Sequence, residues 1–140
     1  VAMYAMVYST HKGTVFRELQ PLVLAAMMHD IGVVFLPEKT VKSTSKFSKD
    51  DFEQMQRHPK LGHDVLRDAF DDPRIARVSL EHHERLDGSG YPIGHDELHE
   101  WSQLIGIIEV FDGMVGWRSH RVAPGPIVAI KVLVQMADNV

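Results

Sequence analysis

Cysteine is absent from the chain, which excludes disulfides and thiolate metal sites, so any metal must be held by nitrogen and oxygen. That absence fits a reducing cytoplasm. A basic excess is missing too: 15 Lys and Arg stand against 19 Asp and Glu, a formal net charge of −4. Binders of polymeric nucleic acid usually carry a basic surplus, so that class is disfavoured. A small anionic substrate stays open, because a bound cation adds charge that the residue sum omits. No run of roughly 18 apolar residues and no signal-peptide pattern is evident, so no membrane segment is expected. Period-2 alternation, the mark of a half-buried strand, is wanting as well. With 140 residues, 44% of them apolar, the chain suits one domain around one core, and no repeat or linker divides it.

What is abundant is histidine. Nine occur, at positions 11, 29, 58, 63, 82, 83, 95, 99 and 120, and none forms a tag-like run.

The rest of the pattern is helical. Val1 to Tyr8 reads as helix interior. From Pro21, a plausible first helical residue, the run LVLAAMM is apolar on every side and predicts a buried helix closed by Gly32. A polar loop follows from Pro37 to Phe47. Ser48 to Asp51 matches an N-terminal capping box for a helix to about His58, and Pro59 restarts the chain for another to about Ala69. Asp72-Pro73 is a cap followed by proline, opening a helix to about Arg85. Asp87 to Pro92 is a turn or loop. Ser102 is expected to cap a long apolar helix to about Trp117, and Pro126 to open a last one. The expected fold is all-α, a single bundle of about six or seven helices.

Several polar groups sit where apolar neighbours would surround them. His29-Asp30 ends the buried helix, and such a pair is costly to bury unless paired or bound to a metal. An isolated His-Asp is more often a helix-terminal histidine beside a solvated aspartate. On the helix from Pro73, Ile75, Val78 and Ser79 put His82 on the inward face, with His83 about a quarter-turn round. Both could meet neighbouring metal ions, or one could be core and the other surface. Glu84 could orient a ligand imidazole or be a surface charge beside Arg85. Glu109 and Asp112 share a face of an otherwise apolar helix at i, i+3, so at least one should point inward. His58 alone would be a capping or surface residue. His11, His63, His95, His99 and His120 read as solvated.

Together these residues resemble the HD-GYP family in order and spacing. The chain reads HDIG at His29 to Gly32, HPKLG at His58 to Gly62, HHERLDGSGYP from His82 to Pro92, and EVFDGM from Glu109 to Met114. The resemblance covers nearly the whole chain. It implies a helical HD-superfamily domain that hydrolyses cyclic di-GMP, to the linear dinucleotide or on to GMP, with two or three iron or manganese ions, zinc being a further option. It further implies His29 and Asp30 as the catalytic pair and as metal ligands, Asp30 bridging two ions, with His58, His82, His83 and Glu109 completing the set. Gly90, Tyr91 and Pro92 would shape the loop beside the site, with Glu84 and Asp112 supporting the ligands. Arg118 and Arg121 would hold substrate phosphates.

Four departures from the family pattern stand out. Val33 replaces a lysine, Glu109 replaces an aspartate, and the family's RPY reads Arg118-Ser119-His120. The VAMYA run that follows another family histidine opens the chain, which suggests a domain truncated at its N-terminal helix. The expected activity is cyclic di-GMP hydrolysis in a cytoplasmic bacterial signalling protein. The rival expectation is a degenerate module that binds nucleotide, metal or a GGDEF-domain partner without turnover.

Overall fold

A computed structural model describes residues 1–42, 48–116 and 125–137. Those residues form helices and connecting turns, with no strand among them. In chain order the helices are α1 (Ala2–His11), α2 (Phe16–Met28), α3 (Glu38–Val41), α4 (Lys49–Met55), α5 (His58–Ala69), α6 (Pro73–Glu81), α7 (Glu100–Val115) and α8 (Pro126–Ala137). A 3₁₀ turn over Ile31–Phe35 links α2 to α3. The one helix not anticipated is the four-residue α3, inside the segment read as loop.

Local chemistry explains most boundaries. Ser48 Oγ accepts from the Asp51 amide and the Asp51 carboxylate accepts from the Ser48 amide, the expected capping box. Asp72 accepts from the Arg74 amide and Pro73 opens α6. Arg74 also pairs with Glu18 of α2 and lies 4.0 Å over the Trp101 ring of α7, tying three helices together. α2 starts at Phe16 rather than Pro21, which sits inside it. An interior proline costs about 3 kcal/mol. Here the amides of Glu18 and Leu19 already reach the Val15 carbonyl, and burial of Leu22, Ala25 and Ala26 offsets the loss. Burial is one-sided, since Met27 is 67% exposed.

Two other expectations change. Ser102 does not cap α7: His99 does, with Nδ1 accepting from the Trp101 amide. Ser102 is buried and gives its hydroxyl to the Glu81 carboxylate at 2.8 Å. Gly32 is not a left-handed stop after α2, for its φ is not positive. It is instead where α5 crosses, and a Cβ there would fall 1.9 Å from the His58 carbonyl oxygen.

The core joins Ala5 of α1, Leu22, Ala25 and Ala26 of α2, Leu66 of α5, Ile75, Ala76 and Val78 of α6, and Trp101, Ile105 and Ile108 of α7. Phe16–Phe35 reaches a mean hydropathy of 1.3, long and apolar enough to cross a membrane, which the sequence reading did not flag. His29-Asp30 interrupts that stretch, and its inner face packs on α1 and α6.

Candidate metal centre

Four separate elements deliver the site. α2 ends at Met28, so His29 and Asp30 lie in the turn before the 3₁₀ segment. His58 is the first residue of α5, and His82 and His83 follow the last residue of α6. Glu109 comes from the middle of α7, which approaches closely because Gly106 lies against the His82 carbonyl, where a Cβ would sit 2.7 Å away. Side chains at helix ends escape the intrahelical ladder and can converge. These do.

The centre of convergence is the Asp30 carboxylate. His29 Nε2 lies 3.3 Å from its Oδ2, and His58 Nε2 and His82 Nε2 lie 3.2 Å and 3.5 Å from its Oδ1. His83 Nδ1 faces Glu109 Oε2 at 3.6 Å. Two donor groups result, each with its donor atoms within 4.8 Å of one another: Asp30, His58, His82 and His83 in one, and His29, Asp30 and Glu109 in the other. Asp30 belongs to both.

The backbone sets which nitrogen faces inward. His29 Nδ1 is 2.9 Å from the Ala26 carbonyl, His58 Nδ1 2.7 Å from that of Met55, and His82 Nδ1 2.8 Å from that of Ser79. A carbonyl only accepts, so each Nδ1 carries a proton, and in the neutral imidazole each Nε2 presents its lone pair toward Asp30. His58 Nε2 and His82 Nε2 stand 3.2 Å apart. Two lone pairs at that distance, beside a carboxylate, repel unless a cation or a proton lies between. The donor set therefore fits a divalent ion held by nitrogen and oxygen.

Without an ion, a proton takes its place between His29 Nε2 and Asp30. Burial opposes charge on both His29 and Asp30, but their mutual hydrogen bond and the further contacts of Asp30 with His58 and His82 override it. The His29 pKa is raised and that of Asp30 held far below the carboxylate range. Burial, with His82 and His58 adjacent, pushes His83 down to about 2, keeping it in the neutral form a metal requires. Burial raises Glu109.

The Gly-Tyr-Pro loop is built against this centre. The Tyr91 ring stacks on His83 with centroids 4.6 Å apart, and its amide bonds the His83 carbonyl at 3.3 Å. Gly90 allows the loop to touch the end of α6, since a Cβ would fall 2.4 Å from Glu84 Cα. The Tyr91–Pro92 peptide is cis. Glu84 is buried, and its carboxylate accepts from the Ile93 amide at 2.6 Å and the Gly94 amide at 2.9 Å. It therefore holds the loop rather than an imidazole. Asp112 turns toward α1, its carboxylate 3.7 Å from the Val1 backbone nitrogen, and is not part of the donor group that Glu109 joins. Arg118, Arg121 and His120 lie outside the described residues.

Two supports escaped the sequence reading. Ser79 donates its buried hydroxyl to the His29 carbonyl at 2.8 Å, pinning α6 to the HD turn. Glu81, only 3% exposed, takes Arg77, Ser102 and the His99 amide. A charge on a surface-looking RVSLEHHER stretch gave no signal of that. His95, set aside as solvated, has its Nε2 buried 3.7 Å from the same carboxylate.

A helical domain in which a His-Asp turn gathers further histidines around one carboxylate has the architecture of an HD domain. The family model described as an HD domain matches residues 3–140, and the chain belongs to that family, in its HD-GYP branch. It is 31% identical over 113 residues to the cyclic di-GMP phosphodiesterase response regulator RpfG of Xanthomonas campestris pv. campestris, covering 76% of this chain and 29% of that protein. It is 32% identical over 102 residues to a cyclic di-GMP phosphodiesterase of Thermotoga maritima, 69% of this chain and 27% of the relative. It is likewise 32% identical over 102 residues to the 3'3'-cGAMP-specific phosphodiesterase 1 of Vibrio cholerae, 71% of this chain and 24% of the relative. The chain spans less than a third of the length of each of these relatives.

Proposed function

We propose that this domain hydrolyses a phosphodiester bond of cyclic di-GMP, using two divalent iron or manganese ions held by His29, Asp30, His58, His82, His83 and Glu109. The observation that carries the reading is Asp30, one carboxylate common to two donor groups. Divalent ions bound there would neutralise charge on a phosphodiester and acidify a water, the two requirements of its hydrolysis. The protein's share is to orient the donors. Carbonyls of Ala26, Met55 and Ser79 fix three imidazoles with Nε2 inward. Burial of His82 and His58 limits competing solvent.

The intact His29, Asp30, His58, His82 and His83 set favours an enzyme over a binding-only module. Val33 stands where the family has a lysine, so Arg118 and Arg121 are the residues assigned here to the substrate phosphates. Relatives named for cyclic di-GMP and for 3'3'-cGAMP make the second nucleotide the open choice. A GGDEF-domain protein is a candidate partner, and a nucleotide second messenger as substrate supports a cytoplasmic location. The test is hydrolysis of both dinucleotides by protein reconstituted anaerobically with iron or manganese, beside metal analysis. Linear dinucleotide or GMP from cyclic di-GMP is expected. Binding of cyclic di-GMP without product would replace the enzyme by the degenerate module.

A further inference from the structure

A row of rings leads outward from the metal centre. His83 faces Glu109, Tyr91 stacks on His83, and Phe52 of α4 meets the Tyr91 ring edge-on with centroids 6.4 Å apart. Tyr91 is half-buried and one of its faces is taken by His83. Phe52 is different: it is 50% exposed. Its position is fixed rather than incidental. The capping box sets the first turn of α4, and Met55, one turn after Phe52, anchors His58 through its carbonyl. The helix that orients a ligand imidazole thus holds an open aromatic face at the rim of the same site.

Resting on the phosphodiesterase reading above, we propose that Phe52 is the stacking platform for one nucleobase of the cyclic dinucleotide. A phosphate drawn to ions at Asp30 would leave its bases directed outward, toward the rim where Phe52, half-exposed beside Tyr91, offers an aromatic side chain. Stacking of a base on an aromatic side chain tolerates any base. Phe52 therefore contributes affinity for a nucleotide over a bare phosphodiester, and does not choose guanine over adenine. The alternative is apolar packing alone, as in a hydrophobic staple at the start of α4. Leucine would preserve that role and lose the π-face.

The experiment compares metal-loaded wild type, Phe52→Leu and Phe52→Trp on cyclic di-GMP and on the abasic cyclic diribose phosphate, a diester without a nucleobase or any other aromatic ring. The readout is the ratio of kcat/KM for the two substrates. In Phe52→Leu the ratio should fall by roughly 5- to 150-fold, mainly through KM. Phe52→Trp should retain most of it, and its added tryptophan emission should be quenched by the dinucleotide. A ratio in Phe52→Leu within about twofold of wild type overturns the proposal alone, as does an unquenched Phe52→Trp. Wild type that cleaves the simple diester but no cyclic dinucleotide overturns the substrate reading and the proposal with it.

Discussion

Replacing Gly32 by alanine tests whether the metal donors depend on one close helix crossing. A Cβ at position 32 would lie 1.9 Å from the His58 carbonyl oxygen, 2.6 Å from the Gly62 nitrogen and 2.8 Å from the His58 carbonyl carbon. All three are backbone atoms, so no rotamer change relieves the clash. Bringing the shortest contact to 3.0 Å requires α5 to retreat by about 1.1 Å. His58 moves with α5, and its Nε2 would leave Asp30 Oδ1, now 3.2 Å away. Metal–ligand distances tolerate only about 0.2 Å. Overpacking of this kind costs about 1–3 kcal/mol, and a domain of this size loses roughly 3–4 °C of Tm per kcal/mol. Disturbing what orients a ligand typically lowers metal affinity about 10- to 100-fold. Thermal denaturation and competitive metal titration measure both losses. Gly62→Ala is the internal comparison, because its nearest obstacle is the Ser79 hydroxyl at 2.3 Å. That side chain can rotate, at the expense of one hydrogen bond worth about 1 kcal/mol. A Gly32→Ala protein with wild-type Tm and metal affinity would refute the reasoning, as would a Gly62→Ala defect equal to it.

His83→Ala should lose at least one bound ion per chain by elemental analysis, since its ring supplies one of the four donors in the group with Asp30, His58 and His82. Asp72→Asn should destabilise the fold by about 0.5–1 kcal/mol at neutral pH, because asparagine keeps the α6 cap but loses the ion pair with Arg74. The Arg74 hydrogen bonds hold the Asp72 pKa below its unfolded value, so that stability is present above the unfolded pKa and lost as pH falls through the folded one. The difference between wild type and variant in urea midpoint should therefore shrink below about pH 4. Glu81→Gln should cost about 2–3 kcal/mol by urea unfolding, because Arg77, Ser102 and the His99 amide all lose a charged acceptor. Arg118→Ala should weaken cyclic di-GMP binding by about 1.5–3 kcal/mol in calorimetry, and an unchanged Kd would remove that residue from the site.

The sequence by itself determined the fold class and the helix starts that carry their own chemistry, and its likeness to the HD-GYP pattern pointed to the candidate donor residues. The Ser48–Asp51 box and Asp72-Pro73 act within three or four residues, so local sequence suffices to see them. The absence of cysteine with an excess of histidine likewise restricted the ligands to nitrogen and oxygen before any geometry was known. Boundaries governed by packing were not legible. Pro21 lies inside α2 because core burial outweighs its local preference, and α7 begins at Glu100, capped by His99, because Ser102 is drawn to Glu81, 21 residues earlier. Neither the imidazole orientations nor the role of Glu84 could be read from spacing, since each depends on where a distant backbone group comes to rest. What made Asp30 common to two donor groups was the crossing of α5 over Gly32 and the approach of α7 at Gly106. Those are contacts between backbones far apart in sequence, and a residue pattern records only that glycine would allow them.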